Sequence, residues 1–325
     1  MLKIKQKASQ RPYLLWLILL GLLFITPVIV KDVYIIHVLN IIGIYILHVM
    51  GMNLLLGFCG QFNLGQAGFY GVGAYTSVLL AMKLGIPFWL TLPISGLVAA
   101  LFALTLGPIL RLQGHCLAMA TLAFGEIIRI VLTNWVSLTN GPTGIGNIPY
   151  PRIGSFSFNN DHRFFCLIFI CVIFCYFVIV RIVHSRMGRA MRSIRDDDAA
   201  AESLGVHATH YRIMALLVDA FFAGIAGSLY AHLTSFVSPH SFHWDETVKI
   251  LTMLVVGGSG YLWGGVAGVV ALTIISEMLD VLENFRPIVY SIFMIVVLIF
   301  ASDGLYGIYL WARQAVVQSF YREVK

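Results

Sequence analysis

Charged residues are scarce in this chain: Asp, Glu, Lys and Arg make up 11% of its 325 residues, whereas 59% are hydrophobic. The mean hydropathy is +0.88, and no polar stretch is long enough for a second, soluble domain. Several apolar runs reach the length needed to cross about 30 Å of hydrocarbon as a helix. This composition excludes a soluble globular protein. It predicts an all-α polytopic integral membrane protein with a single transmembrane domain over residues 1–325.

Catalytic and metal-binding signatures are missing as well. The sequence has no Gly-x-x-x-x-Gly-Lys-Ser/Thr phosphate loop and no His-Glu-x-x-His motif, which excludes ATP binding by that route and a zinc protease. Its five cysteines show no zinc-site spacing and are interpreted as small buried hydrophobes. Ser259 matches the Gly-x-Ser-Gly of intramembrane proteases, but no histidine follows His243 to activate it. We therefore expect no catalytic residue, metal or cofactor in this chain.

Apolar runs and the breakers between them predict about ten transmembrane helices. The predicted spans lie near residues 13–30, 34–56, 67–83, 88–110, 115–134, 164–183, 211–235, 247–257, 264–283 and 287–303. The span 247–257 is short for a bilayer crossing. Some of the helices are therefore expected to be broken or re-entrant.

The basic start of the chain, with Lys3, Lys5 and Lys7, precedes an apolar run that has no small-residue cleavage site. We therefore expect an uncleaved first span with its amino terminus in the cytoplasm. In this orientation most of the 21 Lys and Arg residues face the cytoplasm, as the positive-inside rule requires. Both termini are then cytoplasmic, and residues 135–163 form the longest external loop. The net charge of +6 reflects this topology and does not indicate a nucleic-acid partner.

Two glycine-rich segments interrupt the apolar pattern and resemble each other at a constant offset. The first runs from Gly57 to Gly68 and the second from Gly257 to Gly268. Irregular backbone at membrane depth needs a cover of protein or a water-filled cavity, and paired breaks in the two halves of a transporter point to its pathway. The likeness suggests an internal repeat; close helix packing through small residues is the alternative. The candidate pathway residues are Gly57, Gly60, Gly65, Gly257, Gly260 and Gly265.

Three of the charged residues inside predicted spans are further pathway candidates. Glu126 and Arg129 are three residues apart, on one face of a helix, where they form a structural ion pair or contact charged groups of a substrate. Asp219 has no cation near it in the sequence. We expect its side chain to be neutral, hydrogen-bonded or in contact with a wet cavity.

The densest charge in the chain lies between Arg186 and Gly205, and two apolar runs flank it. Short loops rich in Lys and Arg stay in the cytoplasm. A rigid short helix that ends at Gly205 can transmit rigid-body motion of a partner into the next span. We therefore expect residues 184–210 to form a cytoplasmic coupling segment that offers a platform to a partner. The alternative is a loop whose basic residues only enforce the topology.

The order and spacing of these motifs resemble the permease subunits of bacterial ABC importers for branched-chain amino acids. The resemblance runs through Gly51–Tyr75, Thr121–Arg129, Tyr211–Pro239 and Leu254–Gly265. In ABC permeases a cytoplasmic Glu-Ala-Ala-x-x-x-Gly helix docks on the ATPase subunit. The matching positions here are Ala199, Ala200, Ala201, Glu202 and Gly205, with Ala199 in the place of the glutamate.

The resemblance implies a multi-pass subunit of the bacterial inner membrane that transports leucine, isoleucine and valine and has no ATPase site of its own. The implied partners are cytoplasmic ABC ATPase subunits, which use the ATP, a homologous permease subunit and a soluble substrate-binding protein. Urea permeases share much of the pattern, and sugar-importer permeases share it more loosely. A secondary transporter or channel, with Asp219 and the Glu126/Arg129 pair as an ion relay, is an alternative of another class, but it has no use for the coupling segment.

Overall fold

The computed structural model of the chain describes residues 32–111, 114–154 and 156–278, together with Gly304 and Gly307. The predicted spans 13–30 and 287–303, the end of the span 264–283 and both termini lie outside these residues. Most of the described chain is helical. The fold is that of an all-α polytopic membrane protein, as the composition predicts.

The helices follow the predicted spans closely and add short helices between them. The α-helices of the described chain are α1 Val33–Met52, α2 Gln66–Lys83, α3 Phe88–Leu104, α4 His115–Asn134, α5 Val136–Thr139, α6 Asp161–His184, α7 Arg186–Asp196, α8 Asp198–Ser203, α9 Ala208–Thr234, α10 Trp244–Gly257 and α11 Leu262–Met278. Three 3-10 turns, Gly107–Arg111, Gly141–Thr143 and Pro239–Phe242, lie in the connections.

Local sequence explains where several helices begin. The carboxylate of Asp32 accepts a hydrogen bond from the backbone N–H of Tyr34 at 2.9 Å and so caps α1. Pro87 stands immediately before α3, a position where its missing N–H and its fixed φ are no disadvantage. These signals are local, so the sequence predicts them well.

Four described helical segments are long and apolar enough to cross a membrane: Val33–Phe58, His115–Asn134, Asp161–His184 and Ala208–Thr234. A fifth crossing follows if α10 and α11, which are bent by 118° at a short break, form one span. The helices α2 and α3 occupy two more predicted spans, but α3 is short and α2 contains more polar residues. The count of about ten spans stays a prediction.

The helix α9 is the centre of the bundle and packs along α1, α2 and α3. Glycines allow this close packing: a side-chain carbon at Gly224 of α9 would lie 2.9 Å from the Cα of Gly96 on α3, and Gly73 of α2 meets the backbone of Gly224. Small residues at such crossings let helix backbones approach each other in membrane proteins. Large side chains such as Phe69 and Phe222 are buried in the bundle.

The predicted external loop, residues 135–163, is held against the bundle by short strands. Its strand β1, Ile145–Gly146, pairs antiparallel with β4, Phe236–Val237, which follows α9. The strands β2, Arg152–Ile153, and β3, Phe156–Ser157, form a second pair within the loop. The loop is therefore a structured lid on one end of the helices.

The interpretation of the cysteines as buried hydrophobes is right in part. Cys59 and Cys175 are buried, and Cys166 and Cys171 are half-buried, but Cys116 is exposed. The exposure of Cys116 follows from its place in the first turn of α4. That helix packs on the bundle along one narrow face, formed by Leu117, Thr121, Gly125 and Ile128.

Candidate functional site

The structure has two interruptions of its membrane helices at the predicted glycine-rich segments. The first break, residues 53–65, consists of a π-helical turn, Asn53–Phe58, and an irregular stretch that ends where α2 begins. The second break, residues 258–261, separates α10 from α11. π-helical turns inside helices occur frequently at functional sites.

The two breaks lie side by side, and Asn53 joins them. The Oδ1 of Asn53 accepts a hydrogen bond from the N–H of Gly260, and its Nδ2 donates one to the carbonyl of Tyr261, both at 2.9 Å. A side-chain carbon at Gly57 would meet the backbone of Gly260. Two of the predicted pathway glycines, far apart in sequence, are therefore in contact.

The likeness of the two segments is only partial in three dimensions. In each, a helical element ends near the first glycine, an irregular stretch follows, and a new helix begins. Gly65, however, stands just before α2, whereas Gly265 lies inside α11 against Val49 and Asn53. The internal repeat stays a prediction.

Arg195, near the end of α7, reaches both breaks. Its guanidinium donates a hydrogen bond to the carbonyl of Gly57. A side-chain carbon at Gly60 would lie 3.1 Å from the Cγ of Arg195, and one at Gly260 would lie 2.6 Å from its Nη1. Both glycines have positive φ, +73° and +86°. Glycine adopts this backbone without strain and, because it has no side chain, leaves room for the arginine.

The coupling segment consists of two short helices rather than the single one expected after Arg195. Ser185 caps α7 through its hydroxyl, which accepts a hydrogen bond from the Met187 N–H at 3.1 Å. Asp197 caps α8: its carboxylate accepts from the N–H of Ala200 at 3.0 Å. An N-cap residue has a non-helical backbone. Helix α7 therefore ends before Asp197, and α8 begins after it.

The positions that match the coupling motif form α8 and the turn after it. Ala201 is buried against the bundle, while Ala199, Ala200, Glu202 and Gly205 are exposed. Asp198, at the start of α8, forms an ion pair with Arg212 on α9. The segment is therefore attached to α9 on one side and open on the other.

Gly205 ends α8 in a left-handed conformation with φ +83°. The N–H of Val206 donates to the carbonyl of Ala201, and the N–H of Gly205 donates to that of Glu202, each at 3.0 Å. This pair of bonds is the Schellman motif, which favours glycine at this position. Within the described part of the chain, no atom beyond Gly205 and its two neighbours lies within 4 Å of the place where a side chain at this position would begin. The position therefore requires glycine for its backbone conformation and not for lack of space.

Asp219 is fully buried near the middle of the 27-residue α9. Its Oδ1 accepts a hydrogen bond from Nε2 of Gln66 at 2.7 Å, and its Oδ2 accepts from Nδ2 of Asn63 at 2.9 Å. Gln66 also donates to the carbonyl of His48 on α1 at 3.3 Å. These bonds attach the end of the first break to the central helix. Of the three environments expected for Asp219, the structure has the hydrogen-bonded one.

Threonines of neighbouring helices satisfy two backbone N–H groups where α2 begins. The N–H of Leu64 donates to Oγ1 of Thr121 on α4 at 3.0 Å, and that of Ala67 donates to Oγ1 of Thr247 on α10 at 2.9 Å. Unpaired N–H groups would be costly at this depth. The first break is therefore an ordered feature that three helices hold in place.

Glu126 and Arg129 form an ion pair on α4, with 2.7 Å between Oε2 and Nε. About a fifth of each side chain is exposed, and each charge has its partner within the same helix. This arrangement favours the structural interpretation. A part for the pair in a pathway stays a prediction.

Several residues of these contacts escape an analysis of the sequence. Asn53, Asn63 and Gln66 are neutral amides within or beside apolar runs, and their roles depend on contacts with distant helices. Glu246 and Lys249, which are hydrogen-bonded to Tyr45 of α1, lie on α10, whose predicted span begins only at residue 247. Two charges three residues apart at the edge of an apolar run were the signal that could have identified them.

Comparison with known proteins agrees with these observations. The family model described as "Branched-chain amino acid transport system / permease component" matches residues 34–302. The high-affinity branched-chain amino acid transport permease protein LivM of Escherichia coli is 35% identical over 286 residues, which are 81% of this chain and 67% of LivM.

More distant relatives match smaller or equal shares of this chain. The permease protein LivH of the same Escherichia coli transport system is 25% identical over 81% of this chain and 91% of its own length. The nucleoside ABC transporter permease protein NupC of Lactococcus lactis is 25% identical over 54% of this chain and 60% of its own length. No solved structure shows a significant match to this chain.

Proposed function

The chain belongs to the family of permease components of branched-chain amino acid transport systems, and we propose from this premise that it translocates leucine, isoleucine and valine in an ATP-driven importer. It is a multi-pass protein of the inner membrane and a transport subunit, with ATP hydrolysis in separate subunits. The similarity to LivM over 81% of the chain supports the amino-acid substrate class.

The exposed side of the coupling segment is proposed as the surface that docks on a cytoplasmic ATPase subunit. Ala199, Ala200 and Glu202 are exposed there, next to Leu204, which is 83% exposed. Together with the two alanines, Leu204 gives this side of the segment an apolar surface that a protein partner would cover. The proposed orientation follows, with the coupling segment and both termini in the cytoplasm and residues 135–163 outside, where they face a substrate-binding protein.

A second permease subunit is proposed to complete the pathway. LivH is similar to this chain over the same 81% share as LivM, so a sister subunit of related fold is a suitable partner. In this arrangement each chain encloses half of a pathway with about ten spans.

The contact of Arg195 with both breaks is the observation that carries the proposed mechanism. Arg195 belongs to the coupling segment, and the breaks are the irregular backbone of the membrane helices. A rigid-body shift of the coupling segment would therefore move both breaks together. This link gives ATPase motion a direct route to the elements that would open and close the pathway.

Uptake of labelled leucine and labelled urea, measured side by side in cells with and without this chain, tests the proposed function. We expect loss of leucine uptake without the chain, recovery when the gene is restored, and no change in urea uptake. Loss of urea uptake instead would keep the architecture and change the substrate. Leucine uptake that persists without ATP and without any co-purifying ATPase would favour a secondary transporter.

Replacing Gly205 tests the coupling segment. Gly205→Val should reduce uptake at least tenfold while insertion into the membrane stays normal, because a β-branched residue at φ +83° strains the end of α8. Gly205→Asn should retain more of the activity, since asparagine tolerates the left-handed region. Equal uptake by Gly205→Val and the unmodified protein, in vesicles containing equal amounts of each, would contradict the assignment.

A further inference from the structure

Two opposite charges lie in the first two turns of α10, against the middle of the segment Val33–Phe58. Glu246 and Lys249 are one turn apart, and Thr247 between them accepts the hydrogen bond from the N–H of Ala67. Ala67 follows Gln66, which is bonded to Asp219 in the middle of α9. Transporters place their substrate sites near the middle of the bilayer, where ionisable residues are rare and functional.

Tyr45 lies in the middle of Val33–Phe58, the first of the described segments long enough to cross a membrane, and stands between these charges. Its hydroxyl accepts a hydrogen bond from Nζ of Lys249 at 2.6 Å and donates one to Oε2 of Glu246 at 3.3 Å. The Lys249 ammonium also lies 4.5 Å from the centre of the Tyr45 ring. In the described part of the chain the carboxylate and the ammonium are thus bridged by a phenol and not paired directly.

The trio of Tyr45, Glu246 and Lys249 differs from Asp219 in its burial and in the number of hydrogen bonds it can still form. Asp219 is fully buried, with both oxygens bonded to amides that fix the backbone. Tyr45, Glu246 and Lys249 are each half-buried. An ammonium offers three donors and a carboxylate about four acceptor sites, so both can accept a further partner. Two half-exposed charges at this depth require water or a polar ligand beside them.

We propose that Tyr45, Glu246 and Lys249 form a transient binding site for the zwitterionic backbone of an amino acid, an inference that rests on the proposed function. Glu246 binds the α-ammonium of the substrate, and Lys249 binds its α-carboxylate. The Tyr45 hydroxyl fills the hydrogen-bonding position that the substrate leaves open on either side chain. Ile41 and Val38, also half-buried, lie one and two turns from Tyr45 on the same side of α1 and provide apolar surface for an aliphatic side chain. A site with one charge of each sign matches the two charges of a zwitterion. A neutral solute such as urea has no charge to pair with either side chain.

Labelling of introduced thiols tests whether the trio faces water. In the assembled complex with its partner subunits, Lys249→Cys and Tyr45→Cys should react with a charged methanethiosulfonate reagent at least tenfold faster than Phe174→Cys. Phe174 lies on the apolar helix α6 and is 67% exposed. A cysteine at this position therefore gives the labelling rate expected for a side chain on the outer surface of a membrane helix. The signal of the parent chain with its five native cysteines is subtracted. Labelling at the rate of Phe174→Cys in every nucleotide state would overturn the proposal.

Neutral substitutions test the recognition of the substrate. Glu246→Gln and Lys249→Met should reduce ATP-dependent leucine uptake into proteoliposomes at least tenfold, while the complexes still co-purify with their ATPase in unchanged proportion. Asp245→Asn, whose side chain is 69% exposed on the same turn, is the matched control and should transport normally. Wild-type uptake in both variants, or their failure to assemble while Asp245→Asn assembles, overturns the binding site. If the unmodified complex takes up no leucine, the proposed function itself fails, which is a separate outcome.

Discussion

Replacing Asp219 by alanine is expected to abolish uptake and to lower the free energy of unfolding by roughly 2 to 6 kcal/mol, because the amides of Asn63 and Gln66 would each lose a buried acceptor. The loss would also release the end of the first break from α9. Thermal unfolding of the purified protein in detergent and uptake in proteoliposomes measure the two effects.

The asparagine variant separates a structural Asp219 from an ion relay. Asp219→Asn keeps the size of the side chain and one oxygen acceptor, so its unfolding temperature should lie between those of the wild type and Asp219→Ala. Asp245→Ala, at an exposed aspartate, should leave stability unchanged. A fully stable Asp219→Asn protein that loses transport only when a proton gradient drives it would contradict the structural role and support a relay.

The positions of the long helices follow from the sequence because apolar periodicity is a local property. Predicted spans 67–83 and 115–134 coincide with α2 and α4 within a residue, and the predicted break at Gly57 coincides with a π-helical turn. The i, i+3 pair of Glu126 and Arg129 is likewise local, and the ion pair is present. Each of these features depends only on neighbours within a few residues.

Contacts between distant segments could not be derived in the same way. Nothing in the composition of the first break indicates that Asn53 bonds to Gly260 and Tyr261, or that Asn63 bonds to Asp219. An amide in an apolar run indicates that a partner exists, since an unpaired buried amide is costly, but not which one. Tertiary packing selects the partner, and therefore the candidate site could be assigned to segments but not to pairs of atoms.

Arg195→Ala is the second substitution expected to have a large effect, and its predicted result is uncoupling. ATP hydrolysis by the assembled transporter should continue, while leucine uptake per ATP hydrolysed falls at least tenfold. The reason is that the alanine variant loses the hydrogen bond to the Gly57 carbonyl and the side chain that fills the space beside Gly60 and Gly260. Arg189→Ala, at an exposed arginine of the same helix, is the matched control and should remain coupled.

A double-mutant cycle decides whether Arg195 acts through the second break. Gly260→Ala places a carbon 2.6 Å from Nη1 of Arg195 and strains a backbone at φ +86°, so it should uncouple transport by displacing the arginine. If the two residues act as one unit, leucine uptake per ATP hydrolysed should be no lower in the Arg195→Ala/Gly260→Ala protein than in the more damaged single variant. The reason is that the effects of substitutions at contacting residues do not add. Additive losses would mean that Arg195 and the second break affect transport independently, and the coupling segment would then need another route to the membrane helices. Arg195→Lys should give a coupling between that of the unmodified protein and that of Arg195→Ala. Lysine keeps the positive charge but lacks the planar guanidinium that donates to the Gly57 carbonyl from beside Gly60.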